Sequence, residues 1–70
     1  MPISIDNLRV GLRYRLENYG DKVEFEVLEK LSDNDFRIKD LHTLEVFHFQ
    51  DLVRYGMAKD YELRELHWKA

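Results

Sequence analysis

The chain has 70 residues, 44% of them hydrophobic and 36% charged, with a formal net charge of −3, one proline, three glycines and no cysteine. That length holds a single domain, expected to span 1–70, and the missing cysteine removes disulfides and thiolate metal sites. Mild acidity argues against a free-standing nucleic-acid binder, whose affinity comes mainly from neutralised phosphates. Four phenylalanines, four tyrosines and a tryptophan set the chain apart from disordered sequences. Met1-Pro2-Ile3-Ser4 carries no basic run or apolar segment of signal-peptide type. No stretch approaches the roughly 18–20 apolar residues of a membrane span. The expectation is a soluble, cytoplasmic protein.

In chain order, Asp6 to Val10 reads as a short helical turn closed by Gly11. Period-two alternation follows, with Leu12, Tyr14 and Leu16 on one face and Arg13, Arg15 and Glu17 on the other, as in a half-buried strand. Asn18-Tyr19-Gly20-Asp21 is a turn, because Asn, Gly and Asp tolerate positive φ. Alternation resumes with Val23, Phe25 and Val27 against Lys22, Glu24 and Glu26. A hairpin centred between Tyr19 and Gly20 sets Leu16 opposite Val23, Tyr14 opposite Phe25 and Leu12 opposite Val27. On the other face it sets Arg15 opposite Glu24 and Arg13 opposite Glu26. A slip of one residue would undo every match.

Adjacent Val27 and Leu28 break the alternation and predict a bulge or sharp bend, which lets one long strand serve two parts of a barrel. Ser32 to Asp35 is a second turn, Phe36 to Lys39 a third strand and Asp40 to Thr43 a third turn. Leu44 to Gln50 predicts a strand with Phe47 and Phe49 on one face, Val46 and His48 on the other. Asp51 is the expected N-cap of a helical turn Leu52 to Tyr55, ended by Gly56. Asp60 to Leu66 predicts a last strand with Tyr61 and Leu63 sharing a face, although Glu, Leu, Arg and Lys leave a helix over 61–69 as the alternative. His67 to Ala70 is expected to fray.

Meandering hairpins, a helical turn and a fifth short strand are the order of elements in a five-stranded antiparallel SH3-like barrel. The chain resembles a family of small uncharacterised bacterial proteins of that fold at Leu8, Gly11, Tyr14, Asn18-Tyr19-Gly20-Asp21, Lys39-Asp40-Leu41, Asp51-Leu52, Tyr55-Gly56 and Asp60-Tyr61-Glu62-Leu63. The resemblance implies a fold and no activity. The alanine-leucine-tyrosine-aspartate-tyrosine signature and tryptophan pair of eukaryotic SH3 domains do not occur, so proline-rich peptide recognition does not carry over. Fold alone does not license function.

Candidate chemistry is sparse. The hydroxyls are Ser4, Ser32 and Thr43, the last two in turns, and His42 beside Thr43 is a sequence neighbour rather than a built base–nucleophile pair. His42, His48 and His67 lie on different elements and lack metal-ligand spacing. Glu24 and Glu26 face Arg15 and Arg13, which makes them an ion-paired surface rather than an acid/base couple. Tyr14, Phe25, Phe36, Phe47 and Phe49 are expected core. Tyr19, Tyr55 and Trp68 fall in turns or the tail, where exposed aromatics serve binding surfaces. No catalytic set, metal or cofactor is expected. The leading expectation is a non-enzymatic module that binds a peptide or protein through loops around Tyr19 and Tyr55. The alternatives are single-stranded nucleic-acid binding through the Arg9, Arg13 and Arg15 cluster and a self-associating structural role. No membrane partner is expected, and the protein would be a monomer or weak homo-oligomer.

Overall fold

A computed structural model describes residues 7–66 of the chain. Five antiparallel strands form one sheet: β1 (Arg13–Asn18), β2 (Asp21–Ser32), β3 (Asp35–Asp40), β4 (Val46–His48) and β5 (Glu62–Glu65). A single-turn helix, α1 (Phe49–Leu52), follows β4. The order across the sheet is β4-β3-β2-β1-β5, so β4 and β5 lie at its two edges. Among the described residues no helix is long and apolar enough to cross a membrane.

The β1–β2 register is the one the alternation demands. Tyr14 pairs with Phe25 and Leu16 with Val23, while Arg13 pairs with Glu26 and Arg15 with Glu24. Both charged pairs close as ion pairs at 3.3 Å. Cross-strand pairs of these kinds contribute about 0.2–1 kcal/mol each. The connecting turn has positive φ at both central residues, Tyr19 (52°) and Gly20 (79°), as a two-residue type I′ hairpin requires.

The long β2 is bent where its alternation fails. Its ladder to β3 shifts between Val27 and Glu29, leaving Leu28 as the extra residue, and shifts again between Lys30 and Ser32. The strand pairs with β1 from Asp21 to Glu26 and with β3 from Phe25 to Ser32, so that Phe25 and Glu26 bridge both neighbours just before the bulge. β5 is a strand, paired antiparallel with β1 through Leu16–Leu63 and Glu17–Glu62. Pairing with a half-buried strand overrides the local helix preference of Glu, Leu and Arg.

Three expectations change. α1 begins two residues before Asp51, with His48 in extended backbone as its N-cap, and the chain from Val53 to Tyr55 is turn rather than helix. Asp51 is therefore the third helical residue, and its carboxylate accepts the His48 backbone N–H at 3.3 Å. The strand expected over Leu44–Gln50 contracts to Val46–His48, because Phe49 has turned into the helix. Phe49 is fully buried as expected, whereas Phe47 is only half-buried against the core. The turn expected at Asp6 to Val10 begins outside the described residues, as do Ser4 and the tail with His67 and Trp68.

The core is Leu8, Tyr14, Leu16, Phe25, Val27, Phe36, Ile38, Phe49 and Leu63. Its aromatic centre is a chain of ring contacts, Tyr14–Phe25 at 5.9 Å, Phe25–Phe49 at 5.8 Å and an edge-on Phe36–Phe49 at 6.5 Å. Rings in such geometry add about 0.5–1.5 kcal/mol per pair beyond area burial. Phe49 thus seats α1 against β2 and β3, which fixes the direction in which the chain leaves towards Tyr55.

Candidate functional site

The two tyrosines singled out from the sequence meet at one end of the sheet. The Tyr19 hydroxyl donates to the Tyr55 carbonyl at 2.8 Å, across 36 residues of sequence. Both side chains remain open to solvent, Tyr19 58% exposed and Tyr55 82%. Between the β1–β2 turn and the end of α1 lies a cleft of about 520 Å³. Leu16, Val23 and Leu52 supply its aliphatic lining, Tyr19 and Tyr55 its aromatic lining. Asn18, Asp21 and Asp51 complete it. Clefts of about 300–1,000 Å³ that are mostly apolar with few polar groups are the usual form of a ligand site.

A clamp of hydrogen bonds holds the two sides of this cleft together. Asn18 closes β1 and is 6% exposed, the one buried polar side chain among the described residues. Its Nδ2 donates to the Gly56 carbonyl at 3.1 Å and its Oδ1 accepts the Ala58 N–H at 2.8 Å. The Asp60 carboxylate accepts the Tyr19 N–H at 3.0 Å and the Gly20 N–H at 2.7 Å. Gly56, at φ +91°, turns the chain back after Tyr55 and donates its own N–H to the Val53 carbonyl at 2.9 Å. A turn that would be free on a simple hairpin is thereby bonded to the segment between α1 and β5.

Asn18 and Asp60 are the residues that sequence reading missed as site-builders. Each carried a signal, a turn-forming side chain beside a strand, but the partnership spans about 40 residues and leaves no local trace.

Arg13 and Arg15 stand away from this cleft, on the outer face of the hairpin. They pair with Glu26 and Glu24, and Glu24 also accepts the imidazole N–H of His42 at 2.8 Å. The His42 hydrogen bond, followed by Arg15, holds the Glu24 carboxyl below its ordinary value. A smaller depression of about 320 Å³ beside them is lined by charges of both signs, with Arg13 and Lys39 against Glu24 and Glu26. His48 Nδ1 lies 2.8 Å from Asp35 and holds that carboxyl low in the same way. The Asp40 carboxylate is lowered by the Thr43 and His42 N–H groups it accepts at 3.0 and 2.7 Å. These three carboxylates organise turns. Among the described residues no group of three or more His, Asp and Glu converges on a point that could hold a metal.

The polar groups of the cleft lining are two phenols, two carboxylates and the Asn18 amide, with no serine, threonine or histidine among them. No protein-family model, no curated protein and no solved structure matches the chain. The site is accordingly read from its own geometry.

Proposed function

We propose that this protein is a non-enzymatic interaction module that binds a peptide or protein partner in the cleft between the β1–β2 turn and the end of α1. The observation that carries this reading is the pair Tyr19 and Tyr55, from loops far apart in sequence, both solvent-exposed and both lining one mostly apolar cleft. Aromatic side chains on rigidly supported loops are the usual anchors of protein interfaces. The pairing of Arg13 and Arg15 with Glu26 and Glu24 favours this site over a nucleic-acid surface on the hairpin, since phosphate binding draws on cations that are not already neutralised. The strand order β4-β3-β2-β1-β5 supports the proposed SH3-like relationship.

The test is affinity capture from a lysate of the source cell with the wild-type chain, Tyr55→Ala and Arg15→Gln. Tyr55 is so exposed that removing its ring leaves the core intact. A partner retained by wild type and Arg15→Gln but lost by Tyr55→Ala supports the reading. Capture that survives Tyr55→Ala and fails with Arg15→Gln would move the site to the hairpin face.

A further inference from the structure

The charged residues that line the cleft are both acidic, and the one left unpaired gives its partner a chemistry. The ionisable carboxyls lining it are Asp21 and Asp51, and no lysine or arginine is among the lining residues, although Arg54 reaches Asp51 from outside. Asp51 is engaged, accepting from Arg54 Nη2 at 3.1 Å and from the His48 backbone. The Asp21 carboxylate has no hydrogen-bond or ion-pair partner among the described residues, in contrast to Asp60, whose two oxygens are taken by the Tyr19 and Gly20 amides. Tyr19 is anchored through its hydroxyl, so its ring is held in place before any partner arrives. The mixed-sign depression beside Arg13 and Lys39 offers no such bias.

A cation that meets both an aromatic ring and a carboxylate is best supplied by arginine. Its guanidinium is weakly hydrated, stacks on rings and pairs with a carboxylate through two parallel N–H groups. Resting on the interaction-module reading above, we propose that the cleft takes an extended peptide segment bearing arginine next to an aliphatic residue. The guanidinium lies against the tyrosines and Asp21, and the aliphatic side chain covers Val23 and Leu52. Each element alone is weak, and rigid presentation of all three makes the sum selective.

The experiment is an amide chemical-shift titration of the labelled full chain with blocked short peptides in which arginines flank a leucine. A second peptide carries glutamates in place of the arginines, and a third carries serine in place of the leucine. The expected result is a saturable shift at Tyr19, Asp21, Val23, Leu52 and Tyr55 with the first peptide, a weaker one with the third and none with the second. Asp21→Asn, which breaks no bond within the protein, should weaken binding about three-fold, and Tyr55→Leu by a similar factor of about three. Equal response to arginine and glutamate peptides overturns the proposal, as does silence with both. Shifts at these amides when the protein alone is concentrated would assign the cleft to a second copy and overturn it too. Silent peptides alongside Tyr55-dependent capture reject the cationic chemistry and keep the module; loss of both rejects the cleft.

Discussion

Asn18 shows how much of this end of the molecule hangs on one side chain. Both of its polar groups are satisfied by backbone partners in the chain segment after Gly56. Replacing it with alanine takes the side-chain partner from the Gly56 carbonyl and the Ala58 N–H, both in part-buried bonds, and opens a gap at a buried position. We expect Asn18→Ala to lower stability by about 1–3 kcal/mol, read as a shifted midpoint in urea unfolding. Asn18→Asp should fall between the two, because it keeps the acceptor and loses the donor. Tyr19 and Leu44 illustrate a different residue-level fact, since both are non-glycine residues at positive φ, 52° and 65°. The hydroxyl bond from Tyr19 to Tyr55 offsets that strain on one side of the molecule. Leu44 is held by its N–H to the Asp40 carbonyl at 2.9 Å while its side chain stays exposed.

At the scale of elements, the β1–β2 hairpin was legible in full because its determinants are local. Apolar residues meet apolar and arginines meet glutamates only in one register, and the turn residues accept the positive φ that register needs. The bulge at Leu28 was legible for the same reason, as a failure of alternation. The start of α1 was not. His48 is outside the group of strong N-cap residues, so Asp51 drew the prediction. Its real position is three residues into the capped turn, where an acidic side chain bonds back to the cap N–H. The choice between strand and helix for 62–65 could be settled only by β1, a partner remote in sequence. Tyr19 and Tyr55 were legible as exposed turn aromatics, but their convergence depends on where Phe49 seats α1.

Two carboxylates join elements and give stability a pH dependence. Glu24 ties β2 to the β3–β4 turn through His42, and Asp35 ties the start of β3 to His48 at the entry of α1. Both are held below their ordinary values of 4.5 and 3.8. The folded chain therefore binds fewer protons than the unfolded chain in the carboxylate range. Their contribution is complete above the unfolded values and is lost as pH falls through the lower folded ones. Unfolding midpoints measured between about pH 6 and pH 3 should fall with acid, and the fall should be shallower in Glu24→Gln and in Asp35→Asn than in wild type.

For the whole molecule, the sheet order places β1 between its sequence neighbour β2 and the last strand β5. The two halves of that arrangement differ in what they require of the chain. The hairpin closes over a two-residue loop, whereas the bonds from Asn18, Tyr19 and Gly20 to Tyr55, Gly56, Ala58 and Asp60 bridge 36 to 41 residues. Closing the longer loop costs more chain entropy, by about three-halves of RT times the logarithm of the length ratio.

We therefore expect the clamp around Asn18 and Asp60 to open by sub-global fluctuation while the hairpin persists. Hydrogen exchange makes this visible. The amides of Tyr19, Gly20 and Ala58 should exchange as one cooperative group, slower than ordinary surface turns and faster than β1–β2 ladder amides such as Phe25. Independent exchange of the three would mean that the clamp is not a unit. A partner seated in the cleft spans both sides of that opening, so occupancy should slow this group selectively. The molecule would then report binding through the stiffness of one corner, with no change in its average shape.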